Sequence, residues 1–179
     1  MEPQTRRQIL GKLLLLSAGS LIIPAEKAYA STGKYLIGNW INSAIWKINL
    51  PEELDYEFLK TTSYIESGHN PLSTSKKGAR GLFQIIEENW DEFGRGSFDN
   101  AFLPVLNIQT GIKVYKWMLN YCTKKHPDWP TLEKMDRQLL LAAAYNGGPS
   151  RLNTRNWDIS RMDPETRNHV SKFEKILNP

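Results

Sequence analysis

Apolar residues fall at helical spacing along nearly the whole chain. Ile37, Trp40, Ile41, Ala44, Ile45 and Ile48 recur every three or four positions after a polar lead-in at Ser31–Lys34. A second helix is predicted to open at Leu50-Pro51-Glu52-Glu53, with proline and acids in the first turn where the helix dipole favours them. Its apolar positions are Leu54, Phe58, Leu59 and Ile65, and Ser67-Gly68 with Asn70-Pro71 stop it. A third helix is predicted from Leu82 to Phe93, opening at Gly81-Leu82. A fourth runs from Pro104 to about Lys124 with Ile108, Ile112, Tyr115, Leu119 and Cys122 on one face. Gly111 inside that helix costs about 1 kcal/mol relative to Ala, so another backbone is expected close by. A fifth helix, Leu132 to Tyr145, is most apolar from Leu139 to Ala144 and should be central; Asn146-Gly147-Gly148-Pro149 ends it. Asp163 reads as an N-cap with Pro164 at the first helical position of a last helix, Pro164 to Leu177, packing through Val170, Phe173, Ile176 and Leu177. No alternating strand is evident beyond a small hairpin near residues 72–80. The pattern predicts a mainly α fold in a single domain over 31–179.

Composition changes this picture little. The 179 residues suffice for one domain with a real core. The net charge is +4, and residues 1–30, with four basic and two acidic side chains, hold half of the excess. The remainder is too weak for a nucleic-acid partner, which needs a dense basic stripe, but suits an anionic polymer such as cell-wall glycan. Six Trp and seven Tyr could serve as core or as stacking surfaces for sugar rings. One cysteine, Cys122, allows no internal disulfide and reads as a small buried residue. Three scattered histidines have no ligand spacing, so no metal site and no cofactor are expected.

The first 30 residues read as an address. Thr5-Arg6-Arg7-Gln8-Ile9-Leu10 is a basic start, Leu13 to Ile23 is an apolar run, and Ala28-Tyr29-Ala30 offers small residues at peptidase spacing. The paired arginines give it a twin-arginine character, although a general secretory leader can begin the same way. The expected location is the periplasm or cell envelope after cleavage near Ala30.

The candidate chemistry lies in Tyr64–Gln84. Glu66 falls in the last turn of the second helix, at the edge of its apolar stripe. A helix C-terminus is partly negative, and partial burial also disfavours an anion. Both effects favour the protonated carboxyl that a general acid needs to protonate a glycosidic oxygen. Glu66-Ser67-Gly68-His69-Asn70-Pro71, then Ser75, then Gly78-Ala79-Arg80-Gly81-Leu82-Phe83-Gln84 resemble the signature of the soluble lytic transglycosylase family, related to goose-type lysozyme. Asn107-Ile108 with Gly111, Ala143-Ala144-Tyr145-Asn146-Gly147-Gly148-Pro149 and Pro164-Glu165-Thr166-Arg167-Asn168 continue the resemblance in order, from about Leu54 to Leu177. Phe83 replaces a common Met, His169 a common Tyr, and Lys76-Lys77 is unusually basic.

The resemblance implies a lysozyme-like fold with Glu66 as sole acid/base. It also implies that Ser75, Gln84, Tyr145 and Asn146 line the sugar cleft with Glu165 near it. Tyr145 would hold its hydroxyl near Glu66. Ordinary glycosidases use two carboxylates, and here Asp55 lies on the wrong part of its helix while Glu87 and Glu88 read as an exposed face. A single carboxylate with an assisting acetamido group implies closure of 1,6-anhydromuramoyl ends on peptidoglycan. The alternatives are a lysozyme-type hydrolase with the same residues, or a non-catalytic glycan-binding or assembly protein. A monomer acting on glycan strands is expected, either in general turnover or beside a secretion or conjugation apparatus.

Overall fold

The computed structural model describes residues 25–179, with side chains from residue 32 onward. The leader expected at 1–30 therefore lies largely outside the described residues. Seven α-helices are described: α1 Ala25–Ile45, α2 Tyr56–Ser67, α3 Glu87–Phe93, α4 Pro104–Lys125, α5 Lys134–Gly147, α6 Pro149–Thr154 and α7 Pro164–Leu177. Among the described residues β structure is limited to two isolated antiparallel bridges, Thr74 to Arg80 and Arg80 to Ile85. The protein is mainly α, as the apolar spacing predicts. No described helix is long and apolar enough to cross a membrane.

The chain forms two compact units, one of residues through Trp46 with Glu66–Gly111, the other of Lys47–Ile65 with Ile112–Pro179. In the first unit, α1 buries Ile37, Ile41 and Ala44 along one stripe. Gly33 continues that stripe. A Cβ on Gly33 would lie 2.0 Å from the carbonyl oxygen of His69, so the helix and the turn after Glu66 meet backbone to backbone. The predicted polar lead-in at Ser31–Lys34 is thus part of a helix, because a glycine contact takes the place of an apolar one there. The side chain of Gln109 donates to Ala44 O (3.3 Å) and fastens the end of α1 to the start of α4.

The helix predicted to open at Gly81-Leu82 begins instead at Glu87. Leu82, Phe83 and Ile85 are buried, which produced the helical reading, but Gln84 adopts φ 48° and breaks any helix through them. Gly111 meets the Phe83 ring, not a backbone: its Cβ would lie 2.2 Å from Phe83 Cδ2.

In the second unit the helix predicted from Leu50 is divided. A 3-10 turn at Glu52–Leu54 is followed by extended Asp55, whose Oδ1 accepts from Phe58 N (2.8 Å) and starts α2. Phe58 is fully buried, edge-on to Tyr115 (5.1 Å, 75°) and 5.4 Å from Phe173. α5 packs against α6, α7 and the Glu52–Leu54 turn, and its Leu140–Ala144 run is buried, the central position predicted for it. Arg137 ties it to the turn through buried Glu53 (2.8 Å) and through Glu52. α7 begins as predicted, with Asp163 Oδ1 accepting from Thr166 N (3.0 Å). It packs through Val170 and Phe173, whereas Ile176, named with them as a packing residue, is exposed. α6 carries too few apolar residues to have been legible.

Candidate functional site

Glu66 is half-buried in the last turn of α2. Gly68 (φ 60°) and His69 (φ 64°) then turn the chain through the left-handed region, which glycine reaches freely and other residues seldom do. Ser67 Oγ donates to Leu82 O (2.9 Å), so the residue beside Glu66 is bonded to the second half of the signature.

That second half is a folded-back loop. Ser75 N donates to Ala79 O (2.9 Å) while Ser75 Oγ accepts from Ala79 N (3.0 Å), closing a tight turn around Lys76-Lys77-Gly78. Arg80 and Ile85 exchange backbone hydrogen bonds of 2.9 and 3.0 Å across the next turn. Gln84 Nε2 donates to Gly81 O (2.9 Å) and Ser73 O (3.3 Å), committing its amide nitrogen to the loop and leaving Oε1 able to accept from a hydroxyl. Glu66, Ser75 and Gln84 thus belong to one hydrogen-bonded segment of the first unit.

The loop is anchored by a residue to which the spacing argument gave no role. Asn107 on α4 is fully buried. Its Oδ1 accepts from Phe83 N (2.8 Å), and its Nδ2 donates to Ala101 O (2.7 Å) and Arg80 O (3.0 Å). Gly81 leaves room for it, because a Cβ there would lie 2.3 Å from Asn107 Nδ2. The visible signal was a buried-face Asn in a helix, which needs partners. Arg80 was also missed: its guanidinium pairs with Asp99 (2.9 Å) and lies over the Phe98 ring at 4.2 Å.

The other three predicted residues lie in the second unit. Tyr145 stacks on buried Tyr115 with ring centroids 4.5 Å apart and 16° between planes. Tyr115 Oη is 3.4 Å from Thr62 Oγ1, whose hydroxyl also donates to Phe58 O. A short polar and aromatic chain therefore runs from α2 through α4 to the end of α5. Asn146 is exposed and its Oδ1 accepts from Thr166 Oγ1 (2.8 Å). Gly147 permits this approach, since a Cβ would lie 2.8 Å from Thr166 Oγ1. Glu165 is exposed in the first turn of α7, next to Thr166. Glu87 and Glu88 are exposed, and Asp55 is engaged by Lys134. Cys122 is buried, and desolvation pushes its thiol up to about 12, which makes it inert.

The family model "Transglycosylase SLT domain" matches residues 43–170, a span that contains all six predicted site residues. Curated relatives carry the name membrane-bound lytic murein transglycosylase F. One from Histophilus somni is 34% identical over 100 residues, 56% of this chain and 19% of the relative. One from Stutzerimonas stutzeri is 33% identical over 100 residues, 55% of this chain and 18% of the relative. One from Pseudomonas putida is 29% identical over 126 residues, 63% and 24%. The matched part of the chain thus spans about a fifth of the length of these relatives.

Proposed function

Because the chain belongs to the transglycosylase SLT domain family, whose mainly α, lysozyme-like fold it shares, we propose that it is a peptidoglycan lytic transglycosylase with Glu66 as its single acid/base. The observation that carries this reading is the hydrogen-bonded segment from Glu66 to Gln84, which lies inside the family match and begins with a half-buried carboxyl.

The reaction needs no water and no cofactor. Glu66 protonates the glycosidic oxygen between N-acetylmuramic acid and N-acetylglucosamine, and the C1–O bond breaks. The acetamido group of the muramoyl ring stabilises the electron-poor C1, the part a second carboxylate plays in ordinary retaining glycosidases. Glu66, now a carboxylate, takes the proton of the 6-hydroxyl as O6 bonds to C1, leaving a 1,6-anhydromuramoyl end. Within the first unit, Gln84 Oε1 accepts from a sugar hydroxyl and the Ser75 hydroxyl bonds to another. Within the second unit, the stack on Tyr115 holds the Tyr145 ring in one orientation.

The same reading puts the protein in the cell envelope after removal of its leader, working as a monomer on glycan strands. Its setting in this reading is general wall turnover or local opening of the wall beside a secretion or conjugation apparatus. Mass analysis of digested peptidoglycan tests the chemistry. Anhydromuramoyl ends from the wild type, and none from Glu66→Gln, are expected. Ends heavier by one water would instead make it a hydrolase, and cleavage undiminished in Glu66→Gln would remove Glu66 from the mechanism.

A further inference from the structure

A cavity of about 310 Å³ opens in the second unit, and none of the six candidate cleft residues lines it. Its floor is aliphatic, with Leu139, Leu140 and Ile159, and its polar lining includes Asp136, Asp158 and His126. Trp157 forms an aromatic wall. We propose that this cavity is a second carbohydrate site that holds one neutral N-acetylhexosamine ring against Trp157. The choice of a sugar rests on the glycan-cleaving function proposed above; the cavity and its chemistry do not.

The wall is built in an unusual way. Asn156 (φ 56°) and Trp157 (φ 63°) are consecutive non-glycine residues in the left-handed region. For a residue as bulky as Trp this is a genuine outlier, and such conformations persist where the surroundings over-determine them, often at ligand clamps. Here Asn156 N donates to Asn153 O (2.9 Å) and Trp157 N to Leu152 O (3.0 Å), pinning the turn. The indole meets His126 at 5.0 Å and 50°, and Tyr121 at 6.4 Å and 51°. Both neighbours are inclined to it and neither stacks on it.

The polar groups select the ligand. Asp158 already receives Ser160 N–H (2.9 Å) and Ser160 Oγ (2.6 Å) on Oδ1, and Arg161 (3.0 Å) on Oδ2. Its charge is answered within the protein by Arg161, which leaves the carboxylate of Asp136 to accept from a ligand. Two carboxylates in the lining disfavour an anion. A ring with hydroxyl donors fits this lining, since carboxylates accept from such donors well. His126 Nδ1 accepts from Asp128 N (3.1 Å), which leaves Nε2–H as a donor for a ring or carbonyl oxygen. The leucines suit an acetamido methyl. N-acetylglucosamine meets all of these terms. The lactyl carboxylate of free N-acetylmuramic acid meets the two carboxylates unfavourably, and glucosamine lacks the acetamido group that the leucines and His126 would receive.

Titration of the ¹⁵N-labelled full chain with N-acetylglucosamine, a monosaccharide with no bond to cleave, tests the site by NMR. Saturable shifts at the Trp157 indole N–H and at the Ser160 amide are expected. Free N-acetylmuramic acid and glucosamine should each bind about tenfold more weakly or worse. Trp157→Ala should abolish the response; should that variant not fold, Asp136→Asn, on the rim, should weaken it at least about threefold. Absence of saturable shifts at Trp157 and Ser160, or glucosamine binding as tightly as N-acetylglucosamine, overturns the proposal. The readout is independent of cleavage. A protein that releases no anhydro ends but responds at Trp157 would lose the proposed function and keep this site, whereas an active enzyme with a silent Trp157 would do the reverse.

Discussion

The backbone carbonyl of His69 occupies the space that a side chain on Gly33 would need, 2.0 Å from the Cβ position. His69 follows Glu66 by three residues, so a helix that lies mostly before the family match at residue 43 is in contact with the turn carrying the candidate acid. Gly33→Ala gives a sharp test because two effects oppose. Ala gains about 1 kcal/mol of helix propensity, while overpacking against fixed backbone costs about 1–3 kcal/mol. A lowered melting temperature is expected, about 2–4 °C for each net kcal/mol lost, with a larger loss for Gly33→Val. Cleavage should fall further than the folded fraction does. A raised melting temperature in Gly33→Ala would mean that the contact is not held in solution.

Asn107 supports the other half of the signature. Asn107→Leu would strip three hydrogen bonds from a fully buried position and leave Phe83 N–H and the carbonyls of Arg80 and Ala101 without this partner. The expected loss is about 3 kcal/mol or more, read from the midpoint of urea denaturation. Asn107→Asp keeps the acceptor for Phe83 and removes both donors, so it too should destabilise. A midpoint unchanged in both variants would show that the loop closes without Asn107.

At the N-terminus of α7 the stability effect depends on pH. The hydrogen bond from Thr166 N, with further help from the Thr166 hydroxyl and Arg151, holds the Asp163 carboxyl below its ordinary value of 3.8. A carboxyl depressed in the folded state contributes stability that is present above its unfolded value and lost as pH falls through the folded one. The difference in melting temperature between wild type and Asp163→Ala should therefore be constant from about pH 5 upward and shrink below 3.8. A difference that grew on acidification would contradict the cap.

Where a local signal fixes an element, the sequence reading and the structure coincide. Asp163-Pro164 starts α7 and the apolar run of α5 is buried as expected, because a cap and a long periodic face act within a few residues of themselves. The segment Leu82–Ile85 misleads because its three apolar residues are buried by turns held from Asn107 and Ser67, partners far away in sequence. The same cause hid α1's first turns: Gly33 has no side chain to show a pattern, and its partner lies 36 positions on. For the candidate site, residue types and order were legible. The supporting roles of Asn107, Thr166 and Tyr115 were not, since each acts by hydrogen bond or stacking across elements.

Asn107 presents one acceptor and two donors, the hydrogen-bonding equipment of a short length of strand, from the side of a helix. The geometry of the Gly81–Phe83 turn is thus stored partly outside it. A transplant of Tyr64–Gln84 into another scaffold, or its synthesis as a cyclised peptide, would carry the reactive groups and leave their template behind. The smallest portable version of this loop is discontinuous: the signature, the facing turn of α4 with Asn107, and the part of α1 whose Gly33 lets that helix meet the His69 backbone.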